Sequence, residues 1–257
     1  VEVSRRVDPY LDIADFPPRF ERAMRLHAAA PEHGRLVSRT VRSIRAALAA
    51  HSPAYAAFSG GKDSTVLAHL FRLAGGRTYF HWDYGPDLVP REIEREILSN
   101  LREVAGPHAV LIVRRRPPGR DCAVGYRAFY GTLKALSDDL GWRAGFVGLR
   151  AEESCSRASR TAVAVGPGGE VNRSQGVRLF FPLADWSWRD VYAHVISRGL
   201  PIPRVYHRLA ALVGYEEARL VTFFDPEFEH LGGSALDGHA VPGFKHSRGW
   251  GRPWGSS

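Results

Sequence analysis

Apolar positions along the chain follow two alternating rhythms. Ala54-Tyr55-Ala56-Ala57-Phe58 is a short unbroken apolar run, and after it Val66, Leu67, Leu70 and Phe71 repeat with helical spacing. Strand, glycine turn and helix are predicted in that order. Upstream, Leu36, Val37, Val41, Ile44 and Leu48 place an amphipathic helix over 36–50. Downstream, Gly75-Gly76 stop the first helix and Thr78–Trp82 reads as a second strand. Val89, Ile93, Ile97, Leu101 and Val104 share one helical face over 89–104, with Pro90 at a favourable first-turn position. Ala109–Val113 is a third strand, Tyr126 to Leu140 another helix and Ala144–Val147 a fourth strand. The clearest helix spans 187–198, where Ser187 and Asp190 match a capping box and Trp188, Val191, Tyr192, Val195 and Ile196 form one stripe. Gly199 and Pro201 end it.

Strands that alternate with helices predict an α/β fold, a doubly wound and mostly parallel sheet covered by helices on both faces. Pro9, Pro17, Pro18 and Pro31 mark residues 1 to about 34 as an irregular arm with short helical pieces. Gly232–Ser257 has little periodicity and reads as an extended arm. The expected organisation is an N-terminal arm and helix over 1–50, a nucleotide-binding α/β domain over 51–215 and a C-terminal extension over 216–257.

The turn after the first strand reads Ser59-Gly60-Gly61-Lys62-Asp63-Ser64. The first amides of a helix lack intrahelical partners, and the helix dipole adds positive character there. Two glycines let an anion approach the backbone, and Lys62 adds a full charge. The stretch is therefore a phosphate cradle. Its spacing is neither that of a Walker A loop nor that of Gly-x-Gly-x-x-Gly.

Composition narrows the setting. The 257 residues carry a net charge of +8, which favours anionic partners without choosing between nucleotides and nucleic acid. No run approaches the ~18 apolar residues of a membrane span. Two cysteines, Cys122 and Cys155, are too few for a disulfide scaffold or a cysteine-ligated iron–sulfur cluster. A cytoplasmic setting is expected, with no membrane partner. His207, His230, His239 and His246 lack the spacing of paired zinc ligands and read as solvated or locally bonded.

Sheets of this class bind ligands beyond the carboxyl ends of their strands. Asp83 follows the second strand there, as a ribose, adenine or magnesium contact or as a turn aspartate before Gly85. After the fourth strand comes Gly148-Leu149-Arg150-Ala151-Glu152-Glu153-Ser154-Cys155-Ser156-Arg157, with Arg160 beyond. On a helix Arg150, Arg157 and Arg160 would share one side and converge on an anion. The alternative is a charged face paired with Glu152 and Glu153.

Ser-Gly-Gly-Lys-Asp-Ser resembles the PP-loop of the adenine-nucleotide α-hydrolase superfamily. Gly148-x-Arg150-x-x-Glu153-Ser154-x-x-Arg157 resembles the motif of the phosphoadenosine-phosphosulfate (PAPS) reductase family, and the acidic pair before Arg157 is similar to the small subunit of bacterial ATP sulfurylase. Phe181-Pro182-Leu183-Ala184-Asp185-Trp186-Ser187, with Asp190-Val191, resembles a further family block, as do Leu200–Pro203 and Val205-Tyr206. The resemblance covers about residues 50–215.

It implies that Ser59, Gly60, Gly61, Lys62, Asp63, Ser64, Asp83, Gly148, Arg150, Glu153 and Arg157 bind an adenine nucleotide. Lys62, Arg150 and Arg157 would act in catalysis, and Asp63 and Asp83 would attend Mg²⁺. A PAPS reductase also needs a thiolate in a C-terminal Glu-Cys-Gly segment, and no cysteine follows Cys155. Cleavage of ATP at the α-phosphate, activating an unidentified second substrate, is therefore the leading expectation. The alternatives are a PAPS-binding enzyme of altered chemistry and a nucleic-acid-modifying component. The last would use Arg114, Arg115, Arg116, Arg120 and Arg127. Relatives of this kind often form homodimers.

Overall fold

The strands place alternate side chains on opposite faces of one sheet. This computed structural model describes residues 15–86, 89–117, 126–153, 170–172, 176–218 and 220. The strands are β1 (Ala54–Phe58), β2 (Thr78–Asp83), β3 (Val110–Arg115), β4 (Ala144–Phe146), β5 (Glu170–Asn172) and β6 (Val177–Phe180). Their order is β3-β2-β1-β4-β6-β5, with β5 antiparallel to β6 at one edge and the other pairings parallel.

Ala54, Ala56 and Phe58 of β1, Tyr79 of β2, Phe146 of β4 and Phe180 of β6 face one core. That core is closed by α2 (Pro31–His51), α3 (Lys62–Leu73), α4 (Arg91–Ala105) and α6 (Trp188–Arg198), through Ile44, Leu70, Ile97 and Val191 among others. Tyr55, Phe80, Trp82 and Leu179 face the opposite way, onto Leu133 and Leu136 of α5 (Tyr126–Leu140) and Trp142. Helices thus cover both faces, as the alternating rhythm predicts.

The segment read as an irregular arm is instead helical from Pro18. The α1 helix (Pro18–Ala29) and α2 each begin on a proline, Pro18 and Pro31. A proline at the first helical position loses nothing, because its missing N–H would have had no partner. Met24 of α1 and Ile44 and Ala47 of α2 lie in the same core as α3. The α1 helix also packs on α6 and α7 (Val205–Glu217) through aromatic rings: Phe20 stacks on Tyr215 at 4.1 Å and meets Tyr192 edge-on at 5.4 Å. The β5–β6 pair was not among the expected strands.

The Ser187/Asp190 capping box is present, and Gly199 ends α6 in the left-handed conformation. Behind α3, His69 Nδ1 and His194 Nε2 lie 2.9 Å apart. Burial pushes both imidazoles down, His69 to about 4 and His194 to about 3, so both are neutral at pH 7. No helix among the described residues is long and apolar enough to cross a membrane.

Candidate functional site: a glycine loop at the sheet switch point

β1 pairs with β2 on one side and β4 on the other. The loops leaving β1 and β4 therefore open into the crevice where the sheet changes winding direction. From Phe58 the chain enters Ser59-Gly60-Gly61 and starts α3 at Lys62. Gly60 sits at φ 85°, and a Cβ there would lie 2.6 Å from Ile97. Only glycine satisfies both conditions. The Ser64 hydroxyl donates to Gly61 O at 2.9 Å and accepts from Ser59 N at 3.2 Å. Gly61 N donates to Ser59 Oγ at 3.4 Å. Both serines thus fix the shape of the loop.

Lys62 is wholly buried. Its ammonium donates to Asp63 Oδ2 at 3.0 Å and to Ala218 O at 3.2 Å, and it lies 5.8 Å and 5.7 Å from the ring centres of Tyr192 and Tyr206. Two aromatic faces and two oxygens replace the water that a buried ammonium loses. The Lys62 backbone N–H donates to the Tyr206 hydroxyl at 3.1 Å, and Leu220 N donates to the same oxygen at 3.0 Å. One phenolic oxygen therefore caps α3 and anchors the chain after α7 over the loop.

The loop after β4 closes the other wall. A Cβ on Gly148 would lie 3.1 Å from Asp63 O and 3.3 Å from Ser64 N, so its glycine allows backbone to pack against backbone at the start of α3. Arg150 follows, fully buried. Its Nε donates to Asp63 Oδ1 and its Nη1 to Glu152. Asp63 thus bridges two buried cations, Lys62 and Arg150. Residues 151–153 form a short 3₁₀ turn. Arg157, Arg160, Cys155, Cys122, Arg120, His230, His239, His246 and the side chains of Glu153 and Arg127 lie outside the described residues, so the expected arginine convergence is represented by Arg150 alone.

Asp83 ends β2 and is nearly inaccessible. Its Oδ1 accepts from Gly85 N at 2.8 Å, the turn aspartate geometry. Arg91 grips both oxygens at 3.0 Å, and Arg115 Nε donates to Oδ2 at 2.7 Å. Burial raises its pKa, but the bonds from Arg91, Arg115 and Gly85 outweigh that and hold it below the ordinary carboxylate value. Arg116 Nε donates to Tyr84 O at 2.9 Å. Two arginines of the 114–116 run are therefore engaged with the β2 turn.

Tyr192, Tyr206, Arg91, and a buried pair formed by His81 and Glu94 were missed in the sequence. His81 Nδ1 lies 2.8 Å from Phe58 O and its Nε2 2.8 Å from Glu94 Oε1, which ties the end of β1 to α4. The one signal for Tyr206 was its place in the Val205-Tyr206 block. His207 bonds locally, its Nδ1 lying 2.9 Å from the Tyr215 hydroxyl.

A family model described as the phosphoadenosine phosphosulfate reductase domain matches residues 127–235. A sulfate adenylyltransferase subunit 2 of Shewanella sediminis (strain HAW-EB3) is 26% identical over 186 residues, covering 58% of this chain and 58% of that protein. The corresponding protein of Erwinia tasmaniensis is 28% identical over 185 residues, again covering 58% of each. The chain spans about 58% of the length of these curated relatives. Among solved structures, a PAPS reductase from Candida auris matches with a TM-score of 0.48 and 14% identity, over 75% of this chain and 92% of that one.

Proposed function

We propose that this chain, which resembles PP-loop proteins of the PAPS reductase-like kind and the ATP sulfurylase small subunit, binds an adenine nucleotide and cleaves ATP at the α-phosphate to adenylate an oxyanion acceptor. The observation that carries this reading is the glycine loop at the β1/β4 switch point, with Gly148 pressed against it and Arg150 joined to Asp63. An acceptor oxygen attacks the α-phosphorus, the bond to the bridging oxygen breaks, and pyrophosphate leaves with the bond's electrons. Amides at the start of α3 receive the β- and γ-phosphate oxygens, with the Lys62 N–H now held by Tyr206 passing to one of them. Lys62, Arg150 and Arg157 stabilise the charge on the leaving group.

Mg²⁺ fits Asp63 better than Asp83. Four protein donors already fill the two oxygens of Asp83, whereas Asp63 stands in the first turn of α3, where the phosphates would be received. When bound, the ion neutralises phosphate charge. In this reading Asp83 is a positioning residue that holds Arg91 and Arg115 at the crevice rim.

Sulfate is the first acceptor to test, by analogy with the relatives named sulfate adenylyltransferase subunit 2. It is fully ionised at neutral pH, so its attack requires no general base. The word "subunit" in those names supports a second polypeptide as partner. Mg-ATP with sulfate is expected to release pyrophosphate and form an adenylated sulfate. Release of ADP and phosphate alone would refute the α-phosphate assignment.

A further inference from the structure

Away from the loop, three helices bring metal-ligand side chains together. His27 lies in the last turn of α1, His33 in the first turn of α2 and Asp190 in the first turn of α6. Extended Ala30 (φ −66°, ψ 136°) turns α1 into α2, so that the two imidazoles face one another with ring centres 5.8 Å apart. His27 Nε2 is 2.8 Å from Asp190 Oδ1, and His33 Nδ1 is 3.4 Å from the same oxygen. One ligand atom from each residue lies within 4.8 Å of the other two. The second oxygen of Asp190 is fixed by the Ser187 backbone N–H at 2.9 Å and hydroxyl at 2.6 Å. That capping box aims Oδ1 at the rings, as an outer-sphere donor orients a metal-binding carboxylate. A cavity of about 430 Å³ opens beside the cluster, lined also by Glu32, Arg35 and Arg39.

We infer that His27, His33 and Asp190 form a binding site for one divalent transition-metal ion of the zinc type, with its remaining position open to the cavity. Two imidazoles and a carboxylate are a sufficient three-ligand set for such an ion. With bonds of about 2.0–2.1 Å, tetrahedral ligand atoms stand roughly 3.3 Å apart. The present spacings straddle that value, so side-chain adjustment alone closes the site. His33 is buried and Asp190 is largely so, which shields the ligands, while the more exposed His27 gives an entry path. Arg35 pairs with Glu32 and Arg39 with Asp185. The open position therefore faces a mixed-charge cavity suited to water or a small anion. The ion would join α1 and α2 to α6, the helix that carries Tyr192 above Lys62.

The test is titration of the chelator-stripped full chain with Co²⁺, read by its visible d–d bands, followed by displacement with Zn²⁺. About one equivalent of cobalt should bind and be displaced by zinc. His27→Gln should weaken binding by more than the roughly 10–100-fold that loss of an outer-sphere partner costs. His27→Glu, which restores a ligand, should keep the bands, and Glu32→Gln in the same cavity should bind as the parent does. Absence of bands at stoichiometric cobalt, or full binding by His27→Gln, overturns the site. The hydrogen bonds among the three residues would then be its whole content.

Discussion

Gly60 carries two constraints at one atom: a left-handed backbone, and Ile97 where a Cβ would be. Gly60→Ala should therefore destabilise the protein by about 2–4 kcal/mol, from backbone strain and overpacking together. Thermal or urea unfolding of the variant checks this, and a change within about 0.5 kcal/mol would contradict it. Asp83 gives a pH-dependent expectation. Its folded pKa lies below the ordinary value near 3.9. The stabilisation it contributes is thus complete above roughly pH 4 and is lost as pH falls through the depressed folded value. Asp83→Asn should cost about 2–4 kcal/mol at pH 7, since it strands Arg91 beside an uncharged amide. The gap between variant and parent should narrow at pH 3, and a gap of constant size in urea titrations would sink the ion-pair account. The six loop residues were legible because their chemistry is local. Tyr206 was not, because its bond to Lys62 N joins positions 144 apart in the chain and no spacing rule foreshadows it.

Among the elements, the decisive adjacency is between the start of α3 and the loop after β4. Periodicity revealed β1, α3, β2, α4, α5, β4 and α6 because each carries one apolar stripe or run. It misjudges residues 18–34 by treating proline as an interruption, whereas Pro18 and Pro31 sit where a helix tolerates proline best. The β5–β6 pair escapes because Glu170-Val171-Asn172 and Val177-Arg178-Leu179-Phe180 are broken by charged or polar residues and offer no unbroken apolar run such as that of β4. Gly148→Ala tests the adjacency. Its new Cβ would press on Asp63 O at 3.1 Å, and rigid backbone has little room to yield. The variant should stay folded, lose about 1–3 kcal/mol and lose affinity for ATP, read by calorimetry. Parent-like ATP affinity would mean that the β4 loop does not shape the nucleotide site.

At the scale of the whole molecule, a mostly parallel sheet brings residues from distant parts of the chain towards one end of its central strands. The loop comes from 59–64, the Asp83–Arg91–Arg115 cluster from β2, α4 and β3, Arg150 from beyond β4, and the Tyr192–Tyr206 cover from α6 and α7. The proposed sulfate acceptor rests on analogy with the sulfate adenylyltransferase subunit 2 relatives. The acceptor is the element that pattern and packing leave for chemistry to identify. ATP labelled at the α-phosphate, incubated with the protein, Mg²⁺ and sulfate, tests the central claim most directly. The account requires the label to appear in an adenylated sulfate, with one pyrophosphate released for each. Label recovered in ADP, with orthophosphate released instead, would contradict it.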